Sequence, residues 1–208
     1  MARHTGPVCR LCRREGMKLF LKGTRCDTPK CAIERRDTPP GSQQARRGKL
    51  TDYGQHLREK QKVKHYYGVL ERQFKAYFAR ASRSKGNTGA TLLSLLERRL
   101  DNVVHRLGFG QSRPQARQLV CHGHITVNGR RVDIPSYLLQ PGDVIRVKNR
   151  AKSLEAVQAN LSENSRSVPE FLQFIEGPIP EGVMSRLPEP DDVSIPVQPQ
   201  LIVELCSR

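Results

Sequence analysis

Between residues 91 and 147 the apolar pattern changes from a helical period to a strand period, and this change constrains the fold more than any other feature. Apolar residues recur at helical spacing from Leu92 to Leu107, and Gly108 follows as a helix stop. The later segment HITVNGRRVDI alternates around Asn128-Gly129, which predicts a hairpin with a type I′ turn. One long helix and one hairpin are therefore expected close together in the chain.

A second, shorter helix is predicted between these two patterns, over SRPQARQLVCHG. Ser112 is the expected N-cap, Gln115 completes a capping box and Gly123 ends the helix. A turn at 141–143 then precedes a strand over Val144–Val147. Residues 98–150 therefore predict a compact helix–helix–sheet module, with a further helix near 153–162.

The remaining segments are less regular. Helical signals begin near Asp52, and Phe74, Tyr77 and Phe78 share one helix face that we expect to be core. Residues 1–50 show no helical or strand period, and ERRDTPPGSQQARRGK indicates an extended basic linker. The final apolar run LIVELC is expected to be a strand. The predicted fold class is α+β, with a mainly helical N-terminal part and a small sheet-containing module.

The charge of the chain is divided unevenly. Residues 1–150 carry 32 basic and 11 acidic side chains, a net +21, whereas residues 151–208 carry 4 and 9, a net −5. A field this positive attracts a polyanion. We expect the first part of the chain to bind nucleic acid and the acidic end to pack within the chain or contact other proteins.

Several function classes are excluded by composition. No apolar run approaches the ~20 residues needed to cross a bilayer, so an integral membrane protein is excluded. The N-terminus lacks an apolar signal region, and a cytosolic protein is expected. The sequence contains no Ser/His/Asp set, paired catalytic carboxylates, phosphate-binding glycine loop or dinucleotide fingerprint, so neither an enzyme nor a small-molecule substrate is expected.

Four of the six cysteines have metal-ligand spacing. Cys9 and Cys12 form a C-x₂-C pair, and Cys26 and Cys31 form a C-x₄-C pair 13 residues later. Two tight turns can bring four thiolates together around one tetrahedral Zn²⁺, with no position left for water. We therefore predict one structural zinc; the alternative is four unmetallated thiols or disulfides in a mobile arm. Cys121 and Cys206 lack such partners and are expected to be small buried residues.

The short helix and the hairpin carry the candidate nucleic-acid contacts. A helix N-terminus suits a phosphate, and two arginines one turn apart could grip adjacent phosphates. The residues assigned to this surface are Ser112, Arg113, Arg117, Gln118, His122, His124, Asn128 and Arg130. The alternative for Arg113 and Arg117 is a merely solvated helix face. For His122 and His124, hydrogen bonding is favoured over metal ligation or acid–base catalysis, because no third ligand or orienting carboxylate lies nearby in sequence.

Two further basic segments are assigned to RNA. One is the predicted helix after Asp52, with Arg58, Lys60, Lys62 and Lys64; the other is the linker, with Arg35, Arg36, Arg46, Arg47 and Lys49. Tyr66 and Tyr67 could stack on bases, but core packing is favoured for at least one of them. An irregular basic arm with several separate basic faces suits a large folded RNA better than duplex DNA.

The segment RLDNVVHRLGFGQSRPQARQLVCHGHITVNGRRVDIPSYLLQPGDVI resembles the RNA-binding module named after small-subunit ribosomal protein S-four, of the alpha-L type. PVCRLCRREG, LREKQKVKHYYG, ERQF and QLIVELCSR resemble bacterial members of the same family. The resemblance covers essentially the whole chain. It implies four regions: an arm with a linker at 1–50, a helical RNA-binding domain at 51–97, the inserted module at 98–165, and a segment at 166–208 that returns to the helical domain.

The resemblance also implies a function. Members of the family bind small-subunit ribosomal RNA early in assembly, at a multi-helix junction of the five-prime domain. They contact small-subunit protein S-five at an interface that influences decoding accuracy, and they line the messenger RNA entry region. Several members lack the cysteines, so zinc would be a variant feature. The resemblance implies RNA contact by the residues that match the family pattern, which are Arg106, Ser112, Arg113, Gln115, Arg117, Gln118, His122, Asn128 and Arg130.

Three functions follow as hypotheses. The first is a structural ribosomal RNA-binding protein in the cytoplasmic ribosome. The second is an RNA-modifying or aminoacylating enzyme that uses the same module for attachment, which would need a catalytic domain of well over 100 further residues. The third is a zinc-dependent DNA-binding regulator, which would bind duplex DNA selectively. The short flanking segments favour the first.

Overall fold

The chain forms two compact units in a computed structural model that describes residues 3–36, 38–41, 51–163 and 167–207. The helical unit comprises residues 1–92 and 195–208, and the sheet unit comprises residues 93–194. Together they give the α+β class predicted from the sequence. No helix in the described residues is both long enough and apolar enough to span a membrane.

The helical unit begins with two short helices, α1 (Cys9–Glu15) and α2 (Ala32–Arg35), separated by a 3-10 turn over Gly23–Asp27. Two longer helices follow, α3 (Asp52–Tyr66) and α4 (Glu71–Ser82). The Thr51 hydroxyl caps α3 by accepting the Gly54 N–H at 3.2 Å. The start of α5 (Thr88–Glu97) and α9 (Pro199–Cys206) complete the unit.

The core of the helical unit is aliphatic and aromatic. Phe74 and Tyr77 of α4 are buried and Phe78 is half-buried, as the helical spacing predicted. Tyr66 and Tyr67 are both buried, with their rings edge to face. Base stacking by these two tyrosines is therefore excluded in this conformation, and core packing is correct for both.

The sheet unit contains α6 (Leu100–Arg106), α7 (Arg113–Cys121) and α8 (Ala151–Glu163). Its five strands are β1 (Ile125–Val127), β2 (Arg130–Arg131), β3 (Val144–Val147), β4 (Leu172–Ile175) and β5 (Glu181–Met184). They form one antiparallel sheet in the order β2-β1-β3-β5-β4. The buried apolar residues of α6, α7 and the strands form one continuous core.

The long helix expected over residues 91–107 is broken. Arg99 is extended, with φ −64° and ψ 135°, and its backbone bridges to Leu138. The backbone N–H of Leu139 donates to the carbonyl of Arg98 at 3.0 Å, and that of Leu100 donates to the carbonyl of Tyr137 at 2.9 Å. The chain therefore leaves the helix to pair with residues 137–139, and α6 starts afresh.

The C-terminal segment differs from the expectation in two ways. Residues 201–206 form part of helix α9 rather than a strand, and α9 packs on α3 with Ile202 buried. Pro199 lies in the first turn of α9, where the missing N–H costs nothing. Residues 167–194 contribute β4 and β5 to the sheet unit, so the compact units divide near residue 194 rather than at 165.

Candidate nucleic-acid interface

The face of α7 that carries Arg113 and Arg117 is buried, contrary to the expectation of an exposed phosphate grip. Ala116 and Val120 lie on the same face and are fully buried in the core of the sheet unit. Positions 113, 116, 117 and 120 share one face because residues three and four apart are neighbours on a helix. The outward face instead presents Gln118, with Pro114 and Cys121. The expectation that Cys121 is buried is also wrong, whereas Cys206 is half-buried.

Arg117 binds a buried carboxylate. Its Nη1 donates to Asp101 Oδ2 at 2.9 Å. The same carboxylate accepts two bonds from Arg99, from Nε at 3.0 Å and from Nη2 at 2.6 Å. Arg99 is fully buried. Two guanidinium groups thus share one carboxylate, and the pairing satisfies charges that would be costly to bury alone.

A second buried network holds Arg113 and Arg106. Arg113 Nε donates to Asn102 Oδ1 at 3.1 Å, and Asn102 Nδ2 donates to Glu97 Oε2 at 2.6 Å. Arg106 binds both oxygens of Glu97, at 3.1 and 3.3 Å. Arg106 also donates to the carbonyl of Asp192 at 2.7 Å and to the Ser194 hydroxyl. Arg106 therefore joins α6 to the end of the sheet unit, and RNA contact by Arg106 stays a prediction.

Ser112 and Gln115 shape the start of α7. The Ser112 hydroxyl accepts the Gln115 N–H, as an N-cap should. The Gln115 side chain, however, accepts the Gln111 N–H at 2.8 Å and donates to Asn160 Oδ1 at 3.2 Å. The expected reciprocal capping box is therefore replaced by a bond to the preceding residue, and the polar ends of Gln115 are both used within the chain.

Asn128 has a structural role in the hairpin. Asn128 and Gly129 both have positive φ, 50° and 78°, which fits the predicted type I′ turn. The Asn128 amide donates to Asp143 Oδ1 at 2.8 Å, and its oxygen accepts the Val144 N–H at 2.9 Å. Both ends of the amide therefore link two turns, and RNA contact by the exposed Asn128 stays a prediction.

One group of exposed cations and polar side chains of the sheet unit lies at the end of α7 and along the hairpin. Gln118, His122 and Arg130 are exposed, and His124 is half-exposed, with its Nδ1 hydrogen-bonded to Ser153 Oγ at 2.8 Å. The rings of His122 and His124 lie 6.2 Å apart between centroids. Burial lowers the pKa of His124, and the charges of His122, Arg150 and Lys148 lower that pKa further.

Three cations that sequence reasoning missed belong to the same surface. Lys148 and Arg150 are exposed beside His124, and the Lys148 N–H donates to the His124 carbonyl at 2.7 Å. The Arg131 guanidinium covers Gly123, where a Cβ would collide with it. The pairing of β3 with β1 could have indicated these positions. We define the hairpin surface by Gln118, His122, His124, Arg130, Arg131, Lys148 and Arg150.

The cations predicted to form a second basic face on α3 are all ion-paired. Lys60 and Lys64 both bind Glu71, at 2.8 and 3.0 Å, and these contacts lower the pKa of that carboxyl group even though burial raises it. The remaining pairs are Lys62 with Glu59 at 2.5 Å and Arg58 with Glu15 at 3.3 Å. RNA contact by these four residues stays a prediction.

The linker cations divide into two groups. Arg35 and Arg36 are described and exposed, at and just beyond the end of α2. Arg46, Arg47 and Lys49 lie outside the described residues. RNA contact by these five cations stays a prediction.

The four spaced cysteines line one cavity of about 20 Å³ in the helical unit. Cys12, Cys26 and Cys31 are buried and Cys9 is partly buried. The Lys22 N–H donates to Cys26 Sγ at 3.4 Å. Burial raises the pKa of the Cys12 thiol, and the neighbouring thiols raise that pKa further. In the described part of the chain, no three His, Cys, Asp or Glu side chains are arranged as a metal site.

The comparisons with known proteins give the class of the chain, which is that of the ribosomal proteins. Residues 3–97 match the family described as ribosomal protein S4/S9 N-terminal domain, and residues 98–145 match the S4 domain. The chain is 58% identical to the small ribosomal subunit protein uS4 of Thermoanaerobacter pseudethanolicus over all of both chains. It is 57% and 55% identical to the proteins of that name from Thermodesulfovibrio yellowstonii and Thermus thermophilus, again over all of both chains. The chain belongs to the small ribosomal subunit protein uS4 family.

Proposed function

We propose that the chain binds small-subunit ribosomal RNA through the hairpin surface, as a structural component of the small ribosomal subunit in the cytoplasm. Membership of the uS4 family supports the structural role and the location in the ribosome. The observation that supports the RNA surface is the grouping of the cations Arg131, Lys148 and Arg150 beside His122 and His124 on the exposed side of the sheet unit. Cations arranged in this way neutralise backbone phosphates.

An enzyme and a DNA regulator are the alternatives. The matched family is one of ribosomal proteins rather than of enzymes. An irregular surface of histidines and arginines on a hairpin suits the backbone of a folded RNA, whereas duplex DNA is usually read by a helix in the major groove. Competition at physiological salt between the ribosomal RNA and a duplex DNA distinguishes the ribosomal function from the DNA regulator. We expect the RNA to be preferred; equal affinities would refute the ribosomal function.

The salt dependence of RNA binding tests the phosphate contacts. If about six phosphates are neutralised, the log–log slope of affinity against salt should be about −4 to −5. A slope near zero would refute a phosphate-binding surface. Sedimentation of the chain with the small ribosomal subunit in cells tests its location.

The proposal extends to the assembly role that the family resemblance implies. The chain binds a junction in the five-prime domain of the RNA early and nucleates assembly. With small-subunit protein S-five and next to the messenger RNA entry region, it influences decoding accuracy. Reconstitution of the subunit with this chain added first or last tests nucleation. Misreading rates of ribosomes that carry variants in the exposed acidic segment around Glu189 and Asp191 test the second part.

The proposal includes one structural Zn²⁺ held by Cys9, Cys12, Cys26 and Cys31. The donor chemistry suits zinc, because four thiols line a single small cavity and three of them are buried, although the described residues are not arranged as a metal site. The N–H of Lys22 aimed at Cys26 Sγ is a partner suited to a thiolate ligand. A closed set of four thiolates holds the two turns of the arm together and supplies no catalytic position.

A further inference from the structure

The ring of His124 is held by a buried hydroxyl group of helix α8. The Nδ1 atom of His124 lies 2.8 Å from the Oγ atom of Ser153, in the first turn of α8. Ser153 is only 2% exposed, whereas His124 is half-exposed on the hairpin surface. In the described part of the chain, no group forms a hydrogen bond with the other ring nitrogen, Nε2. One ring nitrogen is therefore used inside the protein and the other is left for a group outside it.

The backbone of His124 is fixed from two sides. Its N–H donates to the carbonyl of Leu119 at 3.0 Å, in the manner of a helix that ends on a left-handed glycine, here Gly123 with φ 69°. Its carbonyl accepts the N–H of Lys148, the residue after β3, at 2.7 Å. The side chain of His124 is thus attached to a backbone that α7 and β3 hold, and the Ser153 hydroxyl sets the rotation of the ring.

The direction of this hydrogen bond decides which ring nitrogen carries the proton. Within the residues that the structure describes, His124 Nδ1 is the one hydrogen-bonding partner of Ser153 Oγ. If Oγ accepted a proton from Nδ1, the hydroxyl proton of Ser153 would be buried without an acceptor, which costs more than an unused lone pair. The hydroxyl therefore donates to Nδ1, and the proton of a neutral His124 ring lies on Nε2.

The ring is neutral near pH 7. Burial lowers the pKa of His124 from its ordinary value of 6.5, and the charges of His122, Arg150 and Lys148 lower that pKa further. A neutral ring with its proton on Nε2 is a hydrogen-bond donor that carries no charge. The cations beside it, Lys148 and Arg150, are of the kind that attracts a phosphate. The Nε2–H of His124 is therefore placed to donate to an anionic oxygen that these cations draw in.

We propose that Ser153 is a positioning residue of the hairpin surface, which holds His124 in the tautomer that presents Nε2–H to a phosphate oxygen of the RNA. This inference rests on the proposed function and deepens it. It adds a buried residue of α8 that acts only through His124, and to which the sequence had assigned no role. The charges of Lys148 and Arg150 attract the phosphate, and the directed N–H of His124 fixes its place on the surface.

Two variants of the full chain separate the roles of the two ring nitrogens. His124→Asn places an amide at the same number of bonds from the backbone as Nδ1, so the bond to Ser153 can be kept while the outward N–H is lost. Ser153→Ala keeps the ring but releases its rotation and its tautomer. The control is Ser162→Ala, the same substitution in α8 at a hydroxyl that bonds only to the carbonyl of Ala159 in its own helix, at 2.9 Å.

Three measurements are made on these proteins. Nitrogen NMR of the imidazole in the free wild-type chain reports which ring nitrogen carries the proton. Affinity for the ribosomal RNA is measured across a salt series for the wild type, the three variants and the double variant of His124→Asn with Ser153→Ala. Hydrogen exchange of the β1 and β3 amides shows that each protein is folded.

The expected spectrum of the wild type has the proton of His124 on Nε2. His124→Asn and Ser153→Ala should each weaken RNA binding by roughly three- to tenfold, the range of one hydrogen bond. The log–log salt slope should stay unchanged, because a neutral donor releases no counterions. The double variant should bind no more weakly than His124→Asn alone, since both changes remove the same contact. Ser162→Ala should bind like the wild type.

A wild-type spectrum with the proton on Nδ1 would overturn the inference, whether or not Ser153→Ala folds. His124→Asn that binds RNA as tightly as the wild type would make the bond between His124 and Ser153 a structural link alone. Additive losses in the double variant would equally contradict a role of Ser153 through His124. If the wild-type chain itself fails to bind the RNA, the proposed function fails instead.

Discussion

Arg117 Nη1 donates to Asp101 Oδ2 at 2.9 Å, across the packing of α7 on α6. The carboxylate of Asp101 is shared with the fully buried Arg99. Because a buried charge is stable only when it is paired, this contact fixes which face of α7 turns inward. The opposite face, with Gln118 and the following His122, is thereby presented outward to the hairpin surface.

Replacing Arg117 with Ala should destabilise the sheet unit rather than act first on RNA binding. The variant leaves Asp101 with Arg99 as its partner but removes a charge-assisted hydrogen bond and the packing of the Arg117 stem, a loss of about 2–3 kcal/mol. Native-state hydrogen exchange of the α6 and α7 amides measures the loss.

The matched control for this prediction is Gln118→Ala, at the next position on the outward face. It should leave hydrogen exchange within about 0.5 kcal/mol of the wild type, as is usual for surface substitutions. A stable Arg117→Ala protein with weakened RNA binding would contradict the structural role of Arg117.

The hairpin surface should lose RNA affinity without losing stability when its cations are removed. Lys148 and Arg150 are exposed, and no described carboxylate forms an ion pair with either. The double variant Lys148→Gln and Arg150→Gln should make the log–log salt slope of RNA binding shallower by about 1.5, since each phosphate contact contributes about 0.7–0.9. Filter binding across a salt series checks the slope.

A control with equal charge change is Lys18→Gln together with Arg186→Gln. Both cations are already paired, Lys18 with Glu34 at 2.6 Å and Arg186 with Asp192 at 2.8 Å. Their removal should alter the slope less than the loss of Lys148 and Arg150. The same slope change in both double variants would mean that RNA binding follows total charge and not the hairpin surface.

The sequence predicted the elements of the S4 domain better than the roles of its polar residues. The Asn128-Gly129 turn and the Ser112 cap follow from local backbone chemistry, so both could be read directly. Arg113 and Arg117 look like a phosphate grip because arginines are usually exposed. Their spacing from Ala116 and Val120 places them on the core face, and that spacing was the available signal.

Other features depend on partners distant in sequence. The break at Arg99 arises from pairing with Leu138, and no local signal marks it, since the apolar stripe runs through it. The C-terminal run 201–206 is apolar enough for either a strand or a helix, and packing on α3 selects the helix. The carboxylates that pair with Arg58 and Lys60 were visible in the sequence, but their proximity required the fold.

The stability of the helical unit should fall with pH because of His65. Burial lowers the pKa of His65 to about 4, and the charges of Lys64, His4 and Arg58 act in the same direction. In the unfolded chain the pKa returns to about 6.5, so the native state binds fewer protons between these two values. The free energy of unfolding therefore has its full value above about pH 6.5, and it decreases progressively as the pH falls toward about 4.

Hydrogen exchange of α3 amides between pH 7 and pH 4 tests the titration of His65, with His65→Gln as the comparison. Paired carboxylates such as Glu71, whose pKa is lowered by Lys60 and Lys64, also lose stabilisation on acidification. Those carboxylates are common to both proteins, whereas His65 titrates only in the wild type. The wild type should therefore lose more stability than His65→Gln over this range. Identical pH profiles for the two proteins would contradict the assignment to His65.

Removal of zinc should loosen the arm without unfolding the sheet unit. The cysteine cavity lies in the helical unit, and we expect one zinc per chain after purification without chelator. Cys26→Ser should lose the metal and raise hydrogen exchange at α1 and α2, because the two turns are then no longer joined. Cys121→Ser, a substitution at an exposed cysteine far in sequence from the cavity, should keep one zinc per chain and the wild-type exchange pattern. Substoichiometric zinc in the wild type, together with four titratable thiols at these positions, would refute the metal site.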